Sequence, residues 1–565
     1  MGSDPASPAP PDRWWRAAAA FGAAAVGLGV IGAAAGPRWR PVALKRTIKR
    51  QTEDTKIVAD AAANPGGVSG ESGEPGGSGE SGGQSVSAES GGPGGSGKPG
   101  GTDGSAPQPR TYEVRRHLVR VQLGGVDTIV EVARPAAEGE FPALVFAHGA
   151  GTGNHTAFRE QSEQLVRAGI VCLIPDKQLD EYTAMYRDYE AMARQYLELA
   201  VWARRQEWTD ANQVGYWGES EGAWIVPMSV AIEDDPTFLV LVSAPVVTPR
   251  QQGLFSACAY LANTGVPAGA FHAVPRFIGS PMPGHRLNYA DFSIEPYLYQ
   301  INCPVLMTYG TADNSMPTIQ GALTVMETLE LIGNKQVTVR YYTANHGMRH
   351  GEDQQVHPDF LTDVATWVTG LPATARPADN TQVAGSEPHQ PFWVTPTPPV
   401  NWFGRLSVQG WFGAISLAGV AFGPLLQLLR RLAGRPAEKL RPELRWPFAV
   451  LTGGSAATVV GFAAYLARVV HLARNYRHER ITVVWGYRGI QALAATSVAG
   501  GALLAMRLRG LAASGQPLAN SRLEWLRVAA GATGAAGLLA FASYWGILPV
   551  ESRPAADDGP EPPSS

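Results

Sequence analysis

The densest chemical signal in the chain is Val214-Gly215-Tyr216-Trp217-Gly218-Glu219-Ser220-Glu221-Gly222-Ala223-Trp224. An apolar, β-rich run passes into G-x-S-x-G and then into a helical pattern. A serine hydroxyl is a weak nucleophile until a base takes its proton, and it must also stand clear of the backbone. A sharp turn from strand to helix achieves this, and it leaves no room for side chains two residues to either side, so Gly218 and Gly222 are a steric requirement. The pattern predicts an exposed Ser220 at a helix N-terminus, where the backbone NH of Glu221 can bind a developing oxyanion. Upstream, Pro142 to Gly153 reads as a buried strand opening into a His-Gly-rich loop, His148-Gly149-Ala150-Gly151. Two glycines could make only a turn, but ahead of Ser220 the loop is placed to bring a second NH, from Gly149 or Ala150, to the same oxyanion.

A base and an acid follow in order. Cys303 to Pro317 reads as a strand with Asp313 just past its end, and the strand Val337 to Tyr342 delivers Asn345-His346-Gly347. His346 is the candidate base, and Asp313 is the acid that would orient it. The tract after the preceding strand, Val242-Ser243-Ala244-Pro245, has no carboxylate, which favours Asp313. His346, His350 and His357 could suggest a metal, but His346 is committed and the other spacings put no ligands on one face. Neither metal nor cofactor is expected. Cys172, Cys258 and Cys303 are far apart and odd in number, and they read as small buried residues.

These residues need a scaffold. Leu118 to Gln122 and Thr128 to Val132 read as an opening hairpin, followed by strands at Ala143 to Ala147, Ile170 to Pro175, Gln213 to Trp217, Phe238 to Ser243, Pro304 to Tyr309 and Val337 to Tyr342. Helical patterns lie at Ala157 to Ala168, Met185 to Gln206, Glu221 to Ile232, Thr318 to Ile332 and His357 to Thr369. This alternation predicts an α/β domain over 110–372, with a mostly parallel sheet covered on both faces. The excursion at about 246–301 reads as a helical cap. Its aromatic Phe255, together with Trp224, is a candidate contact for an acyl or alkyl group, although each could simply be packing.

The flanks differ in kind. After a tail at 1–16, residues 17–36 are free of charge and long enough to span a bilayer, as a retained anchor or a signal peptide. A basic juxtamembrane segment is expected at 37–64. Residues 65–109 form a Gly/Ser/Pro/Glu tract that cannot bury enough apolar area to offset its ordering entropy, and read as a disordered linker. A linker at 373–405 leads to a four-helix transmembrane region at 406–549, with uncharged runs at Leu406 to Leu429, Trp446 to Ala467, Gly489 to Met506 and Val528 to Pro549. Residues 550–565 form an acidic tail. A net charge of −3 offers no broad basic surface for nucleic acid.

With GESEG, HGAG, GTADNSMP and NHG in this order, residues 111–372 resemble the α/β-hydrolase superfamily, in the branch of dienelactone-hydrolase-like and serine-peptidase-like enzymes. Ala223 departs from the further glycine of many relatives, and Glu219 and Glu221 would disfavour anionic substrates if they faced the pocket. The resemblance implies cleavage of a small acyl ester through an acyl-enzyme, without a cofactor, and the uncharged runs outside it make the bilayer the other expected partner. A peptidase or acyltransferase with the same triad, and a membrane sensor or scaffold without catalysis, are the alternatives. The expected location is the cell membrane, multi-pass, with the hydrolase domain outside the cytoplasm.

Overall fold

The computed structural model describes residues 42–57 and 111–547, apart from 45, 181, 234–235, 265–267, 282–285, 378–380, 398, 475–476 and 478. The span expected at 17–36, the tract at 65–109 and the tail at 550–565 lie outside the described residues.

The hairpin forms as expected. β1 (Val114–Leu123) and β2 (Val126–Pro135) pair antiparallel around Gly124 and Gly125, both at positive φ, as a two-residue hairpin turn demands. There follow β3 (Phe141–Ala147), α1 (Arg159–Arg167), β4 (Val171–Pro175), α2 (Tyr189–Ala203), β5 (Thr209–Glu219), α3 (Gly222–Ile232) and β6 (Leu239–Val242). After the cap come β7 (Val305–Gly310), α7 (Thr318–Leu331), β8 (Val337–Tyr342), a small ribbon of β9 (Arg349–His350) and β10 (Gln355–Val356), and α8 (Pro358–Thr369). The main sheet runs β1-β2-β4-β3-β5-β6-β7-β8 and ends on a short strand, Val383–Gly385, and it is parallel from β4 onward. Successive side chains of β3 alternate between its faces: Ala143, Val145 and Ala147 join the core on one side, and Leu144 and Phe146 join Trp217 and Trp367 on the other. A strand buried on both faces shows a continuous apolar run, which is why these strands were readable from sequence. This is the α/β-hydrolase fold, and all the loops that carry the candidate residues leave the carboxyl ends of its strands.

Two segments read as connectors are built into the domain instead. Val383–Gly385, within the linker expected at 373–405, is β11 and pairs parallel with β8. Residues 42–57, within the expected basic juxtamembrane segment, lie along this edge as a strap. Gln51 donates its NH to Val383 O at 2.8 Å, Gly385 donates to Thr52 O at 3.0 Å, and Trp393 donates to Val42 O at 2.8 Å. Ile48 and Ile57 are buried, and the fully buried Arg340 of β8 donates Nε to Thr55 O at 2.8 Å. A guanidinium beneath an edge strand needs carbonyl acceptors, and the strap supplies one.

The cap consists of α4 (Pro249–Asn263), whose start is closed by a capping box between Thr248 and Gln251, α5 (Ala268–Ile278) and the single turn α6 (Glu295–Leu298). Four helices long and apolar enough to cross a membrane follow: α9 (Leu406–Leu432), α10 (Pro442–Arg474), α11 (Gly486–Ala513, entered through a π-turn at Ile481–Trp485) and α12 (Arg522–Tyr544). α9 lies along α12 and α10 along α11. The backbones approach closely at small residues: a Cβ on Gly419 would meet Ala530 O at 2.9 Å, and one on Gly500 would meet Leu451 N at 2.9 Å. The last helix starts at Arg522, ahead of the expected Val528, because Ser521 accepts the Glu524 NH at 2.9 Å and caps it there.

Candidate active site

β5 delivers Ser220 into a turn where its φ is 54°, a left-handed conformation that a side chain adopts only under constraint. The constraint is visible on both sides. Ser220 donates its NH to Val242 O at 2.9 Å, a Cβ on Gly218 would meet Gly222 O at 2.8 Å, and a Cβ on Gly222 would collide with Ala147 O. Both glycines are therefore required by close approach of backbone.

The three side chains singled out from sequence meet here. His346 Nε2 lies 3.1 Å from Ser220 Oγ, and His346 Nδ1 lies 2.8 Å from Asp313 Oδ2. The Asp313 carboxyl is fully buried, and its other oxygen accepts the Ser315 NH at 2.7 Å. Gly310 lets the acid and histidine loops close on each other, since a Cβ there would strike Ala344 O and Asn345 O. Burial lowers the pKa of the His346 imidazole, but Asp313, with a smaller contribution from Glu219, outweighs it and holds the ring above its ordinary value. Burial in turn pushes the Glu219 carboxyl up.

Glu221 does not present its charge to a substrate. Its side chain is 1% exposed, and its carboxylate accepts from Lys177 Nζ at 2.8 Å, Tyr182 OH at 2.7 Å and Tyr189 OH at 3.0 Å, with Arg187 as a fourth donor. Burial alone would raise this carboxyl, but Lys177 and Arg187 outweigh it and hold Glu221 below the usual range. The same groups grip the His-Gly loop: Lys177 Nζ donates to Gly149 O at 2.8 Å, and Gly151 donates its NH to Tyr182 OH at 2.9 Å. In a trans peptide the C=O and N–H point in opposite directions, so turning Gly149 O toward Lys177 turns the Ala150 NH away from it. Among the described residues, neither the Ala150 NH nor the Glu221 NH donates to a protein acceptor. Gly149 makes room beside the hydroxyl: a Cβ there would sit 3.4 Å from Ser220 Cβ.

Sequence reasoning missed three of these parts. Ser243, at φ 50°, occupies the position after β6 that lacks a carboxylate, and its Oγ donates to His346 O at 2.8 Å, bracing the histidine loop. Lys177 and Tyr182 carried no motif at all. Buried His148 opens the loop; burial lowers its pKa to about 4, and its neutral ring donates Nε2–H to Pro175 O at 2.6 Å. Trp224 is buried against Tyr189 and donates Nε1–H to Val247 O at 2.8 Å. Phe255 is fully buried and packs on Phe392, with ring centroids 4.9 Å apart, so in this structure it seats the cap on the segment that follows Val383–Gly385. All three cysteines are buried and free. Among the described residues, no three His, Cys, Asp or Glu side chains group as metal ligands would.

Residues 182–369 match the prolyl oligopeptidase family, a stretch that includes Ser220, Asp313 and His346. Solved structures of similar fold include the dipeptidyl peptidase 4 of Porphyromonas gingivalis, 13% identical, covering 46% of this chain and 36% of that one with a TM-score of 0.34. They also include the dienelactone hydrolase of Anabaena variabilis, 17% identical over 46% of this chain and 96% of that one, TM-score 0.30. The Pyrococcus furiosus esterase Pf2001 is 15% identical over 46% of this chain and 90% of that one, TM-score 0.33. This chain thus spans about a third of the length of the dipeptidyl peptidase. No curated protein sequence matches it.

Proposed function

We propose that the α/β domain is a serine hydrolase that cleaves an acyl ester, held at a membrane by the four apolar helices. The reading rests above all on the relay from Ser220 Oγ through His346 to Asp313, at 3.1 and 2.8 Å, with the serine held in a strained turn. His346 Nε2 takes the hydroxyl proton as Ser220 attacks the carbonyl carbon. Asp313 fixes the Nδ1–H tautomer and stabilises the imidazolium. The NH groups of Glu221 and Ala150 receive the oxyanion. Collapse of the tetrahedral intermediate expels the alcohol, which takes the proton from His346. Water then attacks the acyl-enzyme by the same route, releasing the acid and Ser220.

The match to the prolyl oligopeptidase family supports a second reading, in which the same groups cleave a peptide bond. Purified full-length protein treated with a fluorophosphonate probe should label, and Ser220→Ala should lose both labelling and ester hydrolysis while remaining folded. Retained hydrolysis in Ser220→Ala would remove the triad assignment. Turnover of a dipeptide amide in preference to any ester would replace the esterase reading with the peptidase one.

A further inference from the structure

The cap does not end in solvent. The far end of α4 and the length of α5 are packed onto one end of the four-helix bundle: Tyr260, Leu261 and Ala273 share a buried cluster with Phe462, Tyr487 and Tyr544. Polar contacts fix the seating. Tyr260 OH donates to Arg477 O at 3.0 Å, Arg276 reaches Tyr544 O, and Ser280 Oγ, which donates to Arg276 O at 2.6 Å, lies 3.2 Å from Gly404 O. Gly269 opens α5 where no side chain fits, because a Cβ would strike Gly546 O and Tyr487 OH.

The other end of α4 touches the catalytic loops. Gln252 Nε2 donates to Ser315 O at 3.0 Å, next to the turn that holds Asp313. From Gln252 to Tyr260 is about 12 Å along a helix at about 1.5 Å per residue. The carboxyl edge of the sheet therefore faces the bundle, with one cap layer between them. The end it faces has the side chains of a membrane–water interface: Trp402 is 66% exposed and Trp485 68%, and the cap's own Phe277, beside Trp545, is 50% exposed. A headgroup layer is roughly 5 to 8 Å deep on each side of the hydrocarbon, a depth comparable with the about 12 Å that α4 spans between the bundle and the loop of Asp313.

We infer that the substrate is a membrane-resident amphiphile whose ester lies at headgroup depth, presented from the bilayer along the cap. This rests on the serine-hydrolase and membrane readings above. A water-soluble ester would gain nothing from a site turned toward the membrane. An acyl ester dissolved in the bilayer is instead concentrated at the mouth of the site, an effective-concentration gain that exists only while the cap stays seated.

The test uses the full-length protein reconstituted into phosphatidylcholine vesicles, with 4-methylumbelliferyl oleate in the bilayer and 4-methylumbelliferyl butyrate in the water. The wild type should hydrolyse the oleate with the higher kcat/KM. Gly269→Val, which pushes the cap off the bundle, should lose about tenfold or more on the oleate and keep its butyrate activity and fluorophosphonate labelling. Preference for butyrate in the wild type, or equal loss on both esters in a Gly269→Val protein that still labels, would overturn the inference. The wild-type comparison decides the matter if Gly269→Val does not fold. Absence of labelling and of both activities would instead defeat the hydrolase reading itself.

Discussion

Lys177 makes contacts that tie together both donors proposed for the oxyanion. Its Nζ is shared between Glu221 Oε2 and Gly149 O, each at 2.8 Å, so one buried ammonium sets the Ala150 peptide plane and anchors the residue that carries the other NH. Lys177→Met keeps the length of the side chain and removes the donor. It leaves the Gly149 carbonyl unpaired and Glu221 with Arg187 as its only cation. Removing an oxyanion donor outright costs about 10²- to 10³-fold in turnover, and misaiming one should cost less, about ten- to a hundredfold in kcat with KM little changed. The pH profile separates this from damage to the base. His346 must be neutral to accept the proton, and its pKa is held above the ordinary value by Asp313 and Glu219, so activity should fall on acidification with a midpoint above that of a free imidazole. In Lys177→Met that midpoint should stay where it is. A fall in kcat accompanied by a displaced acid limb would show that Lys177 acts through His346 and not through the oxyanion loop.

The strap and the ninth strand show which elements a sequence conceals. The core strands were readable because burial on both faces leaves continuous apolar runs, and Ser220, Asp313 and His346 because steric and topological demands fix their spacing. β11 has three residues, Val383, Ala384 and Gly385, too few to show any period. The strap holds Arg46, Lys49 and Arg50, and this charge resembles a juxtamembrane flank; yet Arg46 pairs with Glu327, and Arg50 donates to Gly385 O and pairs with Glu387. Ser243 and Lys177 were invisible for another reason: what they do depends on what the fold brings opposite them. If the strap belongs to the hydrolase, its apolar anchors carry stability. Ile48 is 6% exposed, so Ile48→Ala should destabilise the domain by about 2 to 4 kcal/mol, lowering Tm by roughly 5 to 10 °C while fluorophosphonate labelling of the folded protein persists. An unchanged Tm in differential scanning calorimetry would return this segment to the status of a loose flank.

At the scale of the whole molecule, the strap changes what the glycine-rich tract does. With residues 42–57 fixed to the β8–β11 edge and Tyr112 donating to Arg167 O at 2.9 Å as the chain re-enters the domain, the 65–109 tract leaves and returns to the same body. It does not stand between the first apolar run and the enzyme. Trp393 is hydrogen-bonded to Val42 only a short way before α9, so the start of the strap lies close to the segment that leads into the four-helix bundle. The cap contacts involve the start of α9, the segment after α10 and the end of α12, which all lie at one end of the bundle. Arg430, Arg431, Arg441, Arg445, Arg509, Arg522 and Arg527 lie toward the opposite end, against Arg405, Arg468, Arg477, Arg480 and Arg488 at the cap end, so the basic residues favour the opposite end as the cytoplasmic one by a narrow margin. Basic residues in short loops remain cytoplasmic, whereas folded domains cross largely regardless of charge, so Arg46 and Arg50, held in the strap, carry little weight. The hydrolase is therefore expected outside the cytoplasm. Protease added to intact spheroplasts should cut between residues 58 and 110, and the two pieces should still copurify in detergent and part only on denaturation, because the strap stays bound. Protection until lysis would put the active site in the cytoplasm, and pieces that separate without denaturant would show that the strap does not hold.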